Sequence, residues 1–462
     1  MTYEITDIAA RIWRLADGPA EVLTALTASG RRQVLPSYFD VTGLAAGSVA
    51  AATLAAAEFL ATRTGTSIRG VAVDSRAACA AFAAEGLFTP VGWRLPAVWD
   101  PIAGNYEAED GWIRLHTNYA YHRAAVERVL GAGDRESVAA AVRDWKAGDL
   151  EAAIVAAGGC AAVMRTRDEW LASPPGAATA AAPALSVIPR AAVARREATV
   201  KPARPYAGIR VLDLTRVIAG PVATKFLAAH GADVLRVDPP GFDEVAAIVP
   251  ETAAGKRTTT LDLTAAAGRE TFEALLASAD VLVTGLRADA LDRLGYGDAA
   301  LAALNPALVI ASLDAYGWDG PWRDRRGFDS LVQMSCGIAA AGAAAKGTAV
   351  PVPLPVQALD HATGYLIAAA VGRALTRRLA ESVVTRIRAS LIGTANFLWS
   401  LPRPRELPPR PDPALFPLVD TMTAWGPARR VPAPGEIAGV RAEWRVEAGP
   451  LGRHAPQWPA GS

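Results

Sequence analysis

From about residue 209 onward the chain alternates short branched-apolar runs with segments of helical period. IRVLDL (Ile209–Leu214), ADVLRVD (Ala232–Asp238), TTTLDL (Thr258–Leu263), VLVTGL (Val281–Leu286) and ALVIASL (Ala307–Leu313) read as strands. Helices are expected between them over Pro221–His230, Ala265–Ser278 and Ala290–Leu294. Strand, helix and strand at this spacing predict βαβ units. The expected fold is therefore α/β, a doubly wound parallel sheet with ligands at the carboxyl ends of its strands.

The first half has a different texture. Ala-rich helices are expected over Leu44–Arg63 and Ala124–Leu130, a strand at GWIRLHTN, and a helical run over Arg135–Ala156. Together they predict a second, smaller α+β domain. Between the halves, PPGAATAAAPALSVIPRAAVARREATVKPARPYAG has no sustained period and reads as a linker. The expected division is 1–173, a linker over 174–206, and 207–462. LPSYFDVTGLAAGSVAAATL near Leu35 also echoes LPVQALDHATGYLIAAAVGRAL near Leu354, with Phe39 standing opposite Asp360.

Composition narrows the partners. Lys plus Arg number 47 against 46 for Asp plus Glu, a net charge of +1, so nothing points to nucleic acid or an anionic membrane. The longest apolar stretch, Leu44–Ala61, contains Glu58 and reads as a buried helix rather than a span. Cys79, Cys160 and Cys336 form no CxxC pair, which suits a reducing cytoplasm. A small-molecule substrate is the expectation.

The loop TRVIAGP (Thr215–Pro221) lacks the GxGxxG spacing of dinucleotide sites, which disfavours a nicotinamide enzyme. It still precedes a helix whose free N–H groups suit a phosphate, although a simple tight turn explains the same residues. Asp360 opens the helical run HATGYLIAAAVGRAL. It reads as an N-cap and, compatibly with that, as a carboxylate nucleophile kept ionised by the helix dipole. The adjacent His361 points about 100° away on a helix, so it is a poor partner for Asp360. Lys256, Arg257, Arg293 and the cluster Arg323, Arg325 and Arg326 are candidates for a phosphorylated ligand, with a solvated surface as the alternative. No metal-ligand spacing and no GxSxG elbow occur.

Taken together, AGIRVLDLTRVIAGPVATKFLAAHGADVLRVDPPG, GKRTTTLDL, DVLVTGLRADALDRLGYG, LNPALVIASLDAYGWDGPWRDRRGFD and the helix at Asp360 resemble family III CoA-transferases. That group includes formyl-CoA transferase, carnitine CoA-transferase and α-methylacyl-CoA racemase. The resemblance runs from about Ala207 to Arg378 and implies a Rossmann-like large domain. It also implies that Asp360 is the nucleophile that moves coenzyme A from an acyl-CoA to a carboxylate acceptor. Val217, Ile218, Arg293 and Arg326 match positions that meet CoA.

The racemase branch has a histidine where Phe328 stands, so racemisation is the weaker reading of this chain. The chain departs from the family at Gly285 and Leu286, at Pro239, and in lacking a Gly-rich lid after Arg378. Small-domain motifs appear early, over about 96–173, as if the order were rearranged. The resemblance implies no permanently bound cofactor, CoA and acyl-CoA as substrates, and a homodimer that is interlocked in the family. The alternatives are an acyl-CoA racemase or isomerase and a non-catalytic CoA-binding homologue.

Overall fold

The computed structural model describes residues 4–192, 202–404 and 412–459. Seven strands form the central sheet: β1 (Leu185–Ala192), β2 (Arg210–Leu214), β3 (Asp233–Asp238), β4 (Lys256–Thr260), β5 (Val281–Thr284), β6 (Val309–Asp314) and β7 (Val383–Ser390). Their spatial order is β4-β3-β2-β5-β6-β7-β1. Six strands are parallel, and β1 joins antiparallel at the edge beside β7. The order runs outward in one direction from β2 and in the other from β5. The gap between their carboxyl ends is therefore the switch point where doubly wound sheets take ligands.

Strands β2, buried from Val211 onward, and β5, fully buried, are short and branched-apolar, as expected of a sheet covered on both faces. The strand expected at Thr258–Leu263 begins earlier, at Lys256, because the Lys256 and Arg257 backbones pair with Val234 and Leu235. The segment read as a linker also differs: it contains a helix, Pro174–Thr179, and strand β1. The run LSVIPRAA supplies backbone donors and acceptors to an edge, and edge strands tolerate the proline that obscures their pattern.

Four helices carry the rest of the argument: α1 (Val41–Thr64), α2 (Ala219–Ala229), α3 (Asp329–Ser335) and α4 (Ala358–Glu381). Helix α1 is buried over Val41–Ala61 and packs along α4, so residues of the first half share one core with the sheet. Small residues make this possible. A Cβ at Gly372 would lie 2.8 Å from the Ala55 Cβ, and one at Gly364 would lie 2.5 Å from the Ala219 carbonyl oxygen on α2. Small residues thus let the backbones of α1 and α2 approach α4, and the apolar face of α1 is buried inside the protein.

The sequence echo corresponds to an echo in structure. Strand Leu26–Ser29, α1, strand Val71–Asp74 and helix Ser75–Phe82 follow the same order as β6, α4, β7 and helix Leu391–Trp399. The flanking strands are parallel in both copies, and Asp74 and Ser390 each cap the trailing helix. A smaller unit over residues 102–163 packs strands Gly104–Ala108, Gly111–Leu115 and Ala161–Val163 on three helices around its own core.

Candidate functional site

Two cavities meet at Asp360. One, about 340 Å³, lies along the carboxyl edge of the sheet. It is lined by Arg216–Ala219 after β2, Gly285–Arg287 after β5, Asp314 and Ala315 at the end of β6, and Leu391 after β7. The other, about 570 Å³, reaches into the first half of the chain, where Phe82, Glu85, Leu87, Val98, Trp99 and His116 line it. Val217, Ile218, Phe328 and Asp360 border both.

The first cavity is cationic: Arg216, Arg287, Arg325 and Arg326 line it, and Asp314 and Asp360 are its acids. Burial pushes the Asp314 carboxyl up to about 8, although it accepts hydrogen bonds from the Tyr316 and Gly317 amides, both 2.8 Å. The second cavity contains no lysine or arginine among its lining residues. Its charged or titratable members are Glu85, Asp329, Asp360 and His116.

Asp360 sits in the first turn of α4 and is buried. It is not the N-cap. Gln357 holds that position without a side-chain bond, and the cap is supplied from α3 instead. Asp329 Oδ2 accepts the Leu359 and Asp360 amides at 2.8 and 3.0 Å, and Oδ1 accepts from Gln333. The Asp360 carboxyl is therefore left facing the cavities rather than tied to its own helix. Burial, followed by the neighbouring Asp329 and Glu85 carboxylates, raises its pKa well above the ordinary range. This corrects the expectation of a carboxylate kept ionised by the helix dipole, because desolvation and like charge outweigh one helix end. Burial also pushes Asp329 up to about 6.

His361 turns away from Asp360. Its Nε2 lies 3.0 Å from Glu85 Oε2, and its ring stacks on Phe82 with centroids 5.2 Å apart. Burial would raise Glu85, but the His361 contact outweighs it and holds the carboxyl below its usual value.

The TRVI loop is held by groups outside the motif. Val217 has φ +63°, a left-handed conformation costly for a β-branched residue. Its amide donates to Glu244 Oε2 at 3.1 Å, and Glu244 also accepts from Tyr119 at 2.8 Å and Arg236 at 2.9 Å. The Arg216 guanidinium lies 3.7 Å from the centroid of the Phe242 ring.

Of the residues expected at the site, Val217, Ile218, Arg326, Phe328 and Asp360 come together. Lys256, Arg257 and Arg293 do not line either cavity. Lys256 is fully buried and braces the sheet, its Nζ 3.0 Å from both Asp213 Oδ2 and the Pro221 carbonyl. Arg257 pairs with Asp233 at 3.1 Å and donates to Gln457 O at 2.6 Å, and Arg293 pairs with Asp289 at the surface. A basic residue beside a strand satisfies the same pattern whether it faces ligand or core, and for Lys256 and Arg257 the acids Asp213 and Asp233 decide. Asp329, Glu244, Glu85, Trp99 and His116 were not anticipated. Asp329 alone had a local signal, as the acid of the GFD turn.

A cationic crevice at the switch point of a doubly wound sheet, ending on a buried carboxyl, has the make-up of α/β proteins that hold a phosphorylated ligand against an acidic side chain. Residues 206–404 match the family model described as CoA-transferase family III. The relatives include the protein named "Probable fatty acyl-CoA transferase Rv3272" of Mycobacterium tuberculosis, 31% identical over 47% of this chain and 59% of that one. The succinyl-CoA–L-malate CoA-transferase beta subunit of Chloroflexus aurantiacus is 37% identical over 35% of this chain and 42% of its own length. Among solved structures, that of Rv3272 aligns at 30% identity over 43% of this chain and 58% of that chain, with a TM-score of 0.39. The chain spans between a third and three fifths of the curated relatives it matches.

Proposed function

We propose that the protein transfers coenzyme A from an acyl-CoA thioester to a carboxylic acid, with Asp360 as the nucleophile. The observation that carries this reading is the position of Asp360 where a cationic cavity meets an uncharged-to-acidic one. Arg216, Arg287 and Arg326 of the first suit the phosphates of CoA, whereas Arg325 pairs with Glu151 at 3.1 Å. The thioester carbon then falls at the border, next to the carboxyl.

Ionised Asp360 attacks the thioester carbonyl, and the C–S bond breaks to leave CoA thiolate and an aspartyl mixed anhydride. The thiolate, retained by the arginines, attacks the aspartyl carbonyl and frees the first acid, leaving an aspartyl-CoA thioester. The acceptor carboxylate attacks that thioester to form a second anhydride, and the thiolate attacks the acceptor carbonyl. New acyl-CoA and free Asp360 result. The raised pKa makes Asp360 a stronger nucleophile once ionised and predicts a rate that rises with pH through its titration.

The test is exchange of isotopically labelled carboxylic acid into acyl-CoA. Label entering the CoA ester with wild type and not with Asp360→Asn supports transfer, and hydrolysis without exchange removes it. We also propose a cytoplasmic homodimer; the three buried, unpaired cysteines are compatible with a reducing compartment, and light scattering reads the mass.

One observation favours a second reading. His116 stacks flat on Phe328, centroids 3.7 Å apart, so an imidazole from the first half stands against the ring that lacks a nitrogen. Burial holds it well below its usual pKa, so the imidazole stays neutral. Acyl-CoA isomerisation would place solvent deuterium at the α-carbon without any acceptor acid, and exchange that needs an acceptor excludes it.

A further inference from the structure

The cavity bordered by Glu85, Trp99 and Asp360 differs in kind from the arginine-lined one, and the difference selects a substrate class. We propose that it binds an uncharged, apolar acyl chain and rejects acyl groups that carry a second carboxylate. This rests on the CoA-transfer reading, which places the pantetheine and phosphates in the other cavity.

Three observations carry the proposal. The wall is built from Phe82, Leu87, Val98, Trp99, Val245 and Ile248, around a volume of about 570 Å³, within the range of cavities that enclose small organic ligands. Its charged members besides Asp360 are the acids Glu85 and Asp329, and no cation lines it. A distal carboxylate there would be desolvated beside like charge with no partner, which is strongly unfavourable. Arg114 does not line the cavity; its guanidinium lies 5.0 Å from the Trp99 ring centroid and its Nη1 donates to Asn105 at 2.9 Å. Finally, Val98 and Trp99 are 41% and 40% exposed, leaving solvated apolar surface at this cavity for a chain to cover.

Calorimetric titration of the full-length Asp360→Asn protein with CoA, octanoyl-CoA and succinyl-CoA tests this without turnover. Octanoyl-CoA is expected to bind at least about tenfold more tightly than CoA, from burial of its methylenes, with succinyl-CoA no tighter than CoA. Val98→Arg, at a half-exposed position, is expected to shrink the octanoyl advantage and strengthen succinyl-CoA several-fold, with a thermal melt checking that it folds. If CoA binds but octanoyl-CoA gains nothing, or succinyl-CoA gains as much, the acyl proposal is overturned while the CoA reading stands. If none of the three binds, the CoA reading itself fails. An absent octanoyl gain together with a dimer that Val98→Arg dissociates assigns the apolar cavity to a second copy of the chain and also overturns the proposal.

Discussion

Asp329 does two things that a substitution separates. It accepts the Leu359 and Asp360 amides at 2.8 and 3.0 Å, and it places negative charge beside the Asp360 carboxyl. Asp329→Ala leaves two buried amides and the Gln333 amide group without their acceptor. At about 1–3 kcal/mol for each orphaned backbone donor, offset by relief of a carboxyl whose pKa burial has raised to about 6, the net loss is about 2–4 kcal/mol. Asp329→Asn keeps one oxygen and is expected to lose about half as much. In both variants removal of the like charge makes Asp360 more acidic, so the acidic limb of the rate of enzyme acylation moves to lower pH. Urea denaturation reads the first effect, and a pH series of single-turnover acylation reads the second. Unchanged stability in Asp329→Ala, or an acidic limb that moves to higher pH, would refute the reasoning.

Lys256→Met removes the partner of a fully buried Asp213 and is expected to cost about 3–5 kcal/mol in denaturant titration, with CoA affinity preserved in the folded fraction. Asp314 is raised to about 8, so its folded form keeps a proton that the unfolded chain gives up above about 4. The stability it contributes is complete below the unfolded pKa and is lost as pH rises towards 8. Melting curves of Asp314→Asn should therefore gain on wild type progressively between pH 4 and 8, and a constant difference would contradict this. Glu244→Ala releases the strained Val217 amide and is expected to raise KM for acyl-CoA on the order of tenfold with a smaller effect on kcat, with Glu244→Gln restoring part of it.

The parallel sheet was legible because both its faces are covered, which writes β2, β5 and β6 as largely apolar runs bounded by turns. Strand β7, VVTRIRAS, alternates with basic residues, and β1 carries a proline; neither announces itself as part of the same sheet. Asp360, Val217, Ile218, Arg326 and Phe328, all read from the motifs, come together at the two cavities. Lys256, Arg257 and Arg293 lie outside both cavities, and local sequence cannot distinguish a cation aimed at a ligand from one aimed at Asp213, Asp233 or Asp289. The other half of the site is supplied by residues more than 200 positions away: Glu85, Trp99 and His116 reach Asp360 only because α1 packs against α4 and the small unit folds over α3. Long-range packing of Ala-rich surfaces leaves no periodic mark that names its partner.

The central claim is that the Asp360 carboxyl takes the acyl group. Intact-protein mass spectrometry after incubation with an acyl-CoA, with and without hydroxylamine, tests it most directly. The account predicts a hydroxylamine-sensitive adduct on wild type, mapped to the peptide containing Asp360 and missing from Asp360→Asn. An adduct of equal yield on Asp360→Asn, or no adduct on a wild-type protein that binds the acyl-CoA, would contradict it.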